Sequence, residues 1–307
     1  MLNKLGTIAK LIGNTPMLKL ERIAPPNGAS IYVKLEYMNP GGSHKDRIAW
    51  YMLKDAADRG LLKRGGYVID VSSGNTALSI AWMSARLDLK TIFVVEEEIS
   101  ETKIAALRFL GADVVKVKLE GLPGEDPRFV RAKELERELS GVFLNQFLNE
   151  ANFRAHYETT AKEIIEQMDG KIDAFVMGIG TGGTIAGVGK RLKEELGGNV
   201  KVVGVVPKGS VLIHGRAVGE DRIPGLAKDI MPNLCLRHKH YIDDIVEVGG
   251  QEAIHMCKRL AREEGLFVGP STGAMVTVAE KVARMLGFNG NVVTLAADSI
   301  FRYELYM

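Results

Sequence analysis

Three times in this chain a short Val/Ile-rich run stops at a cluster of Gly, Ser, Thr or Asn, and a helical period begins at once. The clusters are Ser72-Ser73-Gly74-Asn75-Thr76 after Tyr67 to Val71, Gly180-Thr181-Gly182-Gly183-Thr184 after Ala174 to Met177, and Gly269-Pro270-Ser271-Thr272-Gly273 after Leu266 to Val268. Such junctions belong to βαβ units, whose strands lie parallel and are covered on both faces. The pattern extends along the chain. Strands are expected at Ile31 to Glu36, Thr91 to Val95, Val114 to Val117, Val200 to Val206 and Val292 to Leu295. Helices are expected at Ile48 to Arg59, Ala77 to Leu87, Lys103 to Leu110, Phe129 to Leu139, Glu158 to Met168, Ile185 to Leu196, Glu252 to Glu264 and Ala274 to Leu286. The fold class is therefore α/β with mainly parallel sheets. A length of 307 residues exceeds one ordinary core, so two lobes or one large α/β domain are expected.

Composition narrows the partners. Lys and Arg number 40 against 38 Asp and Glu, a balance that gives no general pull toward nucleic acid or an anionic membrane. No apolar run reaches the roughly 18 residues of a membrane span, and Met1 to Leu20 has no continuous signal-peptide core. A cytoplasmic protein is expected. Two cysteines, Cys235 and Cys257, cannot make a disulfide framework. His255 and Cys257 are two apart on one helix and point different ways, and His238 and His240 have no carboxylate or thiol beside them, so no metal site is expected.

The clusters carry chemistry as well as topology. A glycine turn opening a helix aims free N–H groups at one point, where the helix dipole adds positive charge, and phosphate suits Gly180 to Thr184. The string Gly178 to Gly183 also fits G-x-G-x-x-G. A dinucleotide fold, however, wants an acid after the next strand, and Val206 is followed by Pro207, Lys208 and Gly209. Ser72 to Thr76 offers hydroxyls and an amide suited to a carboxylate, or simply an N-cap. Lys45, within Asn39 to Arg47, stands near a helix start, where a positive dipole end lowers amine basicity; a solvated surface lysine is the plain alternative. Gly269 to Gly273 matches G-x-S-x-G, yet no histidine follows Ser271, so a hydrolase triad in the usual order cannot form.

Taken in register, these motifs resemble the cysteine synthase and cystathionine β-synthase branch of the fold-type II (tryptophan synthase β-like) pyridoxal-phosphate enzymes. Ile12-Gly13-Asn14-Thr15-Pro16, Asn39 to Arg47, Ser72 to Thr76, Asn145-Gln146-Phe147, Gly180 to Thr184, Gly269 to Gly273 and Asp298-Ser299 follow in that family's order. The resemblance implies two open twisted parallel-sheet lobes with helices on both faces and pyridoxal 5'-phosphate in the interlobe cleft. Residues 1–41 plus 146–307 would form a large cofactor-binding lobe, and 42–145 a smaller mobile lobe that closes on substrate. It implies a homodimer. It gives Lys45 the imine and the proton transfers. Gly180, Thr181, Gly182, Gly183 and Thr184 would hold the cofactor phosphate, Asn75 the ring 3′-oxygen and Ser271 the ring nitrogen. Ser72, Ser73, Gly74, Thr76 and Gln146 would hold the substrate carboxylate. The activity implied is β-replacement on an activated serine, O-acetylserine or O-phosphoserine, through an α-aminoacrylate that sulfide or another sulfur donor attacks. A serine/threonine deaminase and a cystathionine β-synthase are the alternatives.

Several positions depart from the family pattern. Ser72 stands where Thr is usual, and His44 where an apolar residue is usual. Asn149-Glu150-Ala151-Asn152-Phe153 and Thr159-Thr160-Ala161-Lys162 replace proline- and glycine-bearing runs. The stretch from Lys208 to Asp244 lacks periodicity and reads as a functional loop. Arg216 or Arg222 there would read an O-phospho leaving group, though Glu220, Asp221 and Asp229 interleave with them.

Overall fold

A computed structural model describes residues 2–119 and 126–303. Among these, ten strands occur in chain order: β1 Met17–Lys19, β2 Ser30–Lys34, β3 Tyr67–Val71, β4 Lys90–Glu96, β5 Asp113–Val117, β6 Val142–Phe143, β7 Ala174–Gly178, β8 Lys201–Pro207, β9 Asp244–Val248 and β10 Asn291–Leu295. The helices are α1 Lys45–Asp58, α2 Asn75–Arg86, α3 Glu101–Phe109, α4 Pro127–Glu138, α5 Glu150–Ala155, α6 Ala161–Gln167, α7 Gly183–Leu196, α8 Val211–His214, α9 Asn233–Arg237, α10 Gly250–Glu263 and α11 Pro270–Leu286.

The chain forms two compact units. One comprises the described residues within Met1–Ile12 and Lys45–Asn152. Its four-stranded sheet has the order β5-β4-β3-β6, all parallel. Ile69, Val71, Ile92 and Val94 pack with Ala132 and Leu135 of α4 on one face. The 3-10 segment Leu2–Leu11 lies against α1 and α2. The loop expected over Gly121 to Pro127 falls largely outside the described residues; at its end Asp126 caps α4 through the Arg128 N–H at 2.9 Å, with Pro127 at the first helical position.

The other unit comprises the described residues within Gly13–His44 and Phe153–Met307. Its six-stranded sheet has the order β1-β2-β10-β7-β8-β9, parallel apart from the β1–β2 pair. Every residue of β7 is buried, as a central parallel strand covered on both faces requires. A buried ion pair sits at the edge of this core. Lys34, with no exposed surface, donates to Thr15 O and Gln167 Oε1, both at 2.8 Å, and pairs with Glu163 at 2.8 Å. A buried ammonium is tolerated only with such partners.

The periodic elements stand where the sequence predicts them, within a few residues, except that the strand expected at Leu266 to Val268 is a single antiparallel bridge from Val268 to Ser299. The differences have simple causes. β1 and β6, three and two residues long, are too short to show a period. The helix expected from Glu158 starts earlier, at Glu150, and passes through a π turn at His156–Thr160 before α6. The irregular stretch after Lys208 holds two short helices, α8 and α9, and β9 begins at its expected end, Asp244.

Candidate functional site

The unit containing Lys45 brings three predicted groups together: Lys45, the turn Ser72 to Thr76, and Gln146. Lys45 is the first residue of α1, half-buried, at the positive end of the helix dipole. The turn follows β3 and opens α2. Ser72 Oγ accepts from the Ala77 N–H at 3.2 Å, so this hydroxyl does cap the helix. Asn75 begins the helix, and Ser73 and Gly74 lie half-buried before it. The Thr76 hydroxyl donates to Gln146 Oε1 at 2.7 Å, and Gln146 Nε2 donates to Val71 O at 3.0 Å. Gln146 is thus clasped across the end of β3, 70 residues from Thr76 in sequence.

Two carboxylates support this arrangement, and neither stood out as a site residue in the sequence. Asp70, fully buried in β3, accepts from the Gln146 N–H at 3.3 Å. Burial pushes its carboxyl up to about 7, against the pull of the backbone N–H groups of Gln146, Val71 and Asn145. Its Oδ2 is buried without a hydrogen-bond partner among the described residues. A lone charge inside an apolar strand was the signal available. Asp46, second in α1, accepts from the Ser79 hydroxyl at 2.7 Å and the Trp82 Nε1–H at 3.1 Å, both on α2.

The second unit holds the glycine turn and Ser271. Gly182 has φ +91 and a Cβ there would lie 2.2 Å from Cys235 Cβ, so only glycine fits. A Cβ on Gly180 would lie 2.5 Å from Gly225 O. No side chain caps α7 at Gly182, and Thr181 Oγ1 approaches Gly183 N only at 3.5 Å. The first turn of a 14-residue helix therefore presents its N–H groups to an anion. Thr184, nearly buried, meets His156 Nε2 at 3.0 Å, and His156 Nδ1 meets Thr160 Oγ1 at 2.9 Å. Ser271, also nearly buried, is second in α11 after Pro270.

The remaining motifs are structural in this unit. Thr15 donates to Glu36 at 2.6 Å, Asn39 Nδ2 to Glu36 at 3.0 Å, and Gly13 N to Asn39 Oδ1 at 2.8 Å. The Ile12 to Pro16 signature is in this way fastened to the start of the Asn39 to Arg47 motif. Ser43 bridges to Asp298, and His44 N donates to Ala297 O at 3.0 Å. His44 is buried, its ring 6.0 Å from that of His156. Arg216 is exposed, and Arg222 pairs on the surface with Asp229 at 3.0 Å. Among the described residues no group of three His, Cys, Asp or Glu is placed to hold a metal ion, and no helix is long and apolar enough to cross a membrane.

Comparison with known proteins gives the family and the fold. Residues 8–298 match the model of a family described as pyridoxal-phosphate dependent enzyme. A cysteine synthase of Staphylococcus aureus (strain N315) is 38% identical over 300 residues, covering 96% of this chain and 94% of that protein. The crystal structure of an O-ureido-L-serine synthase superposes with a TM-score of 0.90 at 34% identity, covering 98% of this chain and 93% of the other. That of a hydrogen sulfide-producing enzyme from Fusobacterium nucleatum gives 0.87 at 34%, covering 96% of each.

Proposed function

The chain belongs to the pyridoxal-phosphate dependent enzymes, and from that premise we propose that it is a cysteine synthase-like transferase, replacing the β-substituent of an activated serine with sulfur. The observation that carries this reading is the clasp of Gln146 by Thr76 and Val71, in the same compact unit as Lys45. It places the Gln146 amide beside the Ser72 to Thr76 turn at the start of α2, in the unit that also carries the Lys45 amine.

The chain's own residues fit the cofactor. The uncapped start of α7 and the glycines that admit no Cβ suit a phosphate. The hydroxyl of Ser271, a buried residue in the first turn of α11, suits a ring nitrogen. Lys45 Nζ would hold the cofactor covalently, Gly180, Thr181, Gly182, Gly183 and Thr184 its phosphate, and Asn75 its ring oxygen. When bound, the cofactor supplies the electron sink that lets an α-proton and a β-substituent leave an amino acid. Lys45 Nζ would take the α-proton as general base. Ser72, Ser73, Gly74, Thr76 and Gln146 hold the carboxylate and so fix which bond faces the lysine. Ser271 would face the ring nitrogen with a neutral hydroxyl, which, unlike a carboxylate, would not hold a proton there and so would favour elimination and replacement over transamination.

The test is product analysis of the purified protein with O-acetylserine, O-phosphoserine, serine and threonine, each with and without sulfide. Cysteine from one of the activated serines, formed only with sulfide, is the expected result. Keto acid from serine or threonine, indifferent to sulfide, would move the assignment to a deaminase, and cystathionine from serine and homocysteine to a cystathionine synthase. A protein that takes up no pyridoxal phosphate refutes all three. We further propose that it works as a homodimer in the cytoplasm, which sedimentation of the purified protein and fractionation of cells check.

The cradle makes its own prediction. Gly182→Ala places a methyl group against Cys235 in a left-handed conformation. It is expected to cost about 2 kcal/mol or more of stability. Cofactor affinity should fall at least about tenfold as the first turn of α7 shifts. Thermal unfolding without cofactor and a fluorescence titration with it measure the two effects separately.

A further inference from the structure

Lys45 and the carboxylate-holding turn sit at the N-terminal ends of two helices, α1 and α2, that pack against each other in one unit. Whatever fixes the relative position of those helices also fixes the distance from the amine to the α-carbon of a substrate held by the turn. Asp46 is the residue next to Lys45. Its Oδ1 accepts two hydrogen bonds from α2, from Ser79 Oγ at 2.7 Å and from Trp82 Nε1 at 3.1 Å. Asp46 and Ser79 are buried and Trp82 is half-buried. A carboxylate in such a place accepts short, charge-assisted bonds that water does not compete for. The two donors lie three residues apart on α2, on one face, so they oppose both sliding and rotation of α2 against α1.

We propose that Asp46 is a positioning residue, which through Ser79 and Trp82 sets the approach of the Lys45 amine to the α-proton of a substrate held at Ser72 to Thr76. The proposal rests on the assignment of Lys45 as the base and of that turn as the carboxylate site. It adds a requirement of its own: proton transfer depends on a bond network that touches neither substrate nor cofactor. Asp46→Ala loosens the helix pair while leaving both binding motifs intact. The cost then falls on the transfer step, because displacement of a base by about 1 Å lowers rates by up to about 100-fold.

The experiment compares Asp46→Ala, Asp46→Asn, Ser79→Ala and Trp82→Phe in the holoenzyme. It measures kcat, KM for the amino-acid donor, the kinetic isotope effect with α-deuterated donor, and exchange of the α-proton into deuterated water. Trp82 emission, read in a Trp50→Phe background, reports the bond independently of activity. For Asp46→Ala the expected result is a fall in kcat and in exchange rate of about 10- to 100-fold, KM nearly unchanged, a larger isotope effect and shifted emission. Asp46→Asn keeps an acceptor oxygen and should restore most of the rate. Ser79→Ala and Trp82→Phe should each show a smaller loss of the same kind, and they carry the test if Asp46→Ala does not fold. A wild-type kcat and isotope effect in Asp46→Ala, or in both donor variants, overturns the proposal. So does a loss confined to KM or to cofactor affinity. If the wild type exchanges the α-proton but makes no cysteine, the assigned reaction is wrong, and the exchange rates of the variants still decide the role of Asp46.

Discussion

Replacing Lys45 by Ala is expected to abolish covalent retention of the cofactor and to lower cysteine formation by about 1,000-fold or more. General base catalysis alone accounts for roughly 100- to 10,000-fold, and the loss of covalent attachment adds to it. The same position explains why arginine is no substitute. An amine that must lose its proton gains from the positive end of α1, whereas a guanidinium stays charged there. Borohydride treatment followed by mass analysis of the Lys45 peptide reads attachment, and a product assay reads turnover. The glycine turn is untouched in this variant, so non-covalent binding of pyridoxal phosphate should survive. Full turnover in Lys45→Ala would remove the amine from the mechanism.

The second large effect is a dependence of stability on pH that runs opposite to that of most carboxylates. Burial raises Asp70 from 3.8 to about 7 in the folded protein. Between those values the unfolded chain has released this proton while the folded chain keeps it. Stability from this group is therefore fully present below about pH 4 and is lost as pH rises through about 7, an effect on the order of 4 kcal/mol in total. Asp70→Asn keeps an acceptor for the Gln146 N–H and cannot titrate. Urea unfolding midpoints between pH 4.5 and 8 should fall with pH more steeply in the wild type than in Asp70→Asn, and the variant should be the more stable at pH 8. Parallel slopes in the two proteins would show that Asp70 ionises at its ordinary value. The direction matters for function, because Asp70 holds the backbone of Gln146. The ionised carboxylate is the stronger acceptor for the Gln146 N–H, so the loss at high pH is expected as a lower unfolding midpoint, with the Gln146 turn held until the unit unfolds.

Much of the candidate site was legible because its signals are local. The glycine run after a strand is expected to open a helix with its N–H groups aimed at one point, and α7 does begin at Gly183, with Gly182 before it at positive φ. Lys45 stands at a helix start because the turn before it and the apolar period after it say so. Ser72 shows the limit of such reading: both a cap and a ligand were open, and its hydroxyl does cap α2. What could not be read joins residues distant in the chain. Nothing near Asp70 announces Gln146, 76 residues away, and nothing near Asp46 announces Trp82. His44 departs from the family pattern as a residue, and its burial beside His156 depends on packing with a segment more than 100 residues later. The same reason hides β1 and β6, which exist only because β2 and β3 offer them an edge.

The last strand enters its sheet in the middle. β10, Asn291–Leu295, lies between β2 and β7, hydrogen-bonded to both. A chain made from its N-terminus therefore holds β2 and β7 apart, each with an unpaired edge, until residues 291–295 have been synthesised. The four strands of the smaller sheet lie within 67–143 and can pair much sooner. Synthesis thus imposes an order of assembly on the two units. The unit carrying Lys45 and Gln146 can complete its sheet early, while the unit with the phosphate cradle must wait for β10 to close its longest-range contacts, the kind that make folding slow.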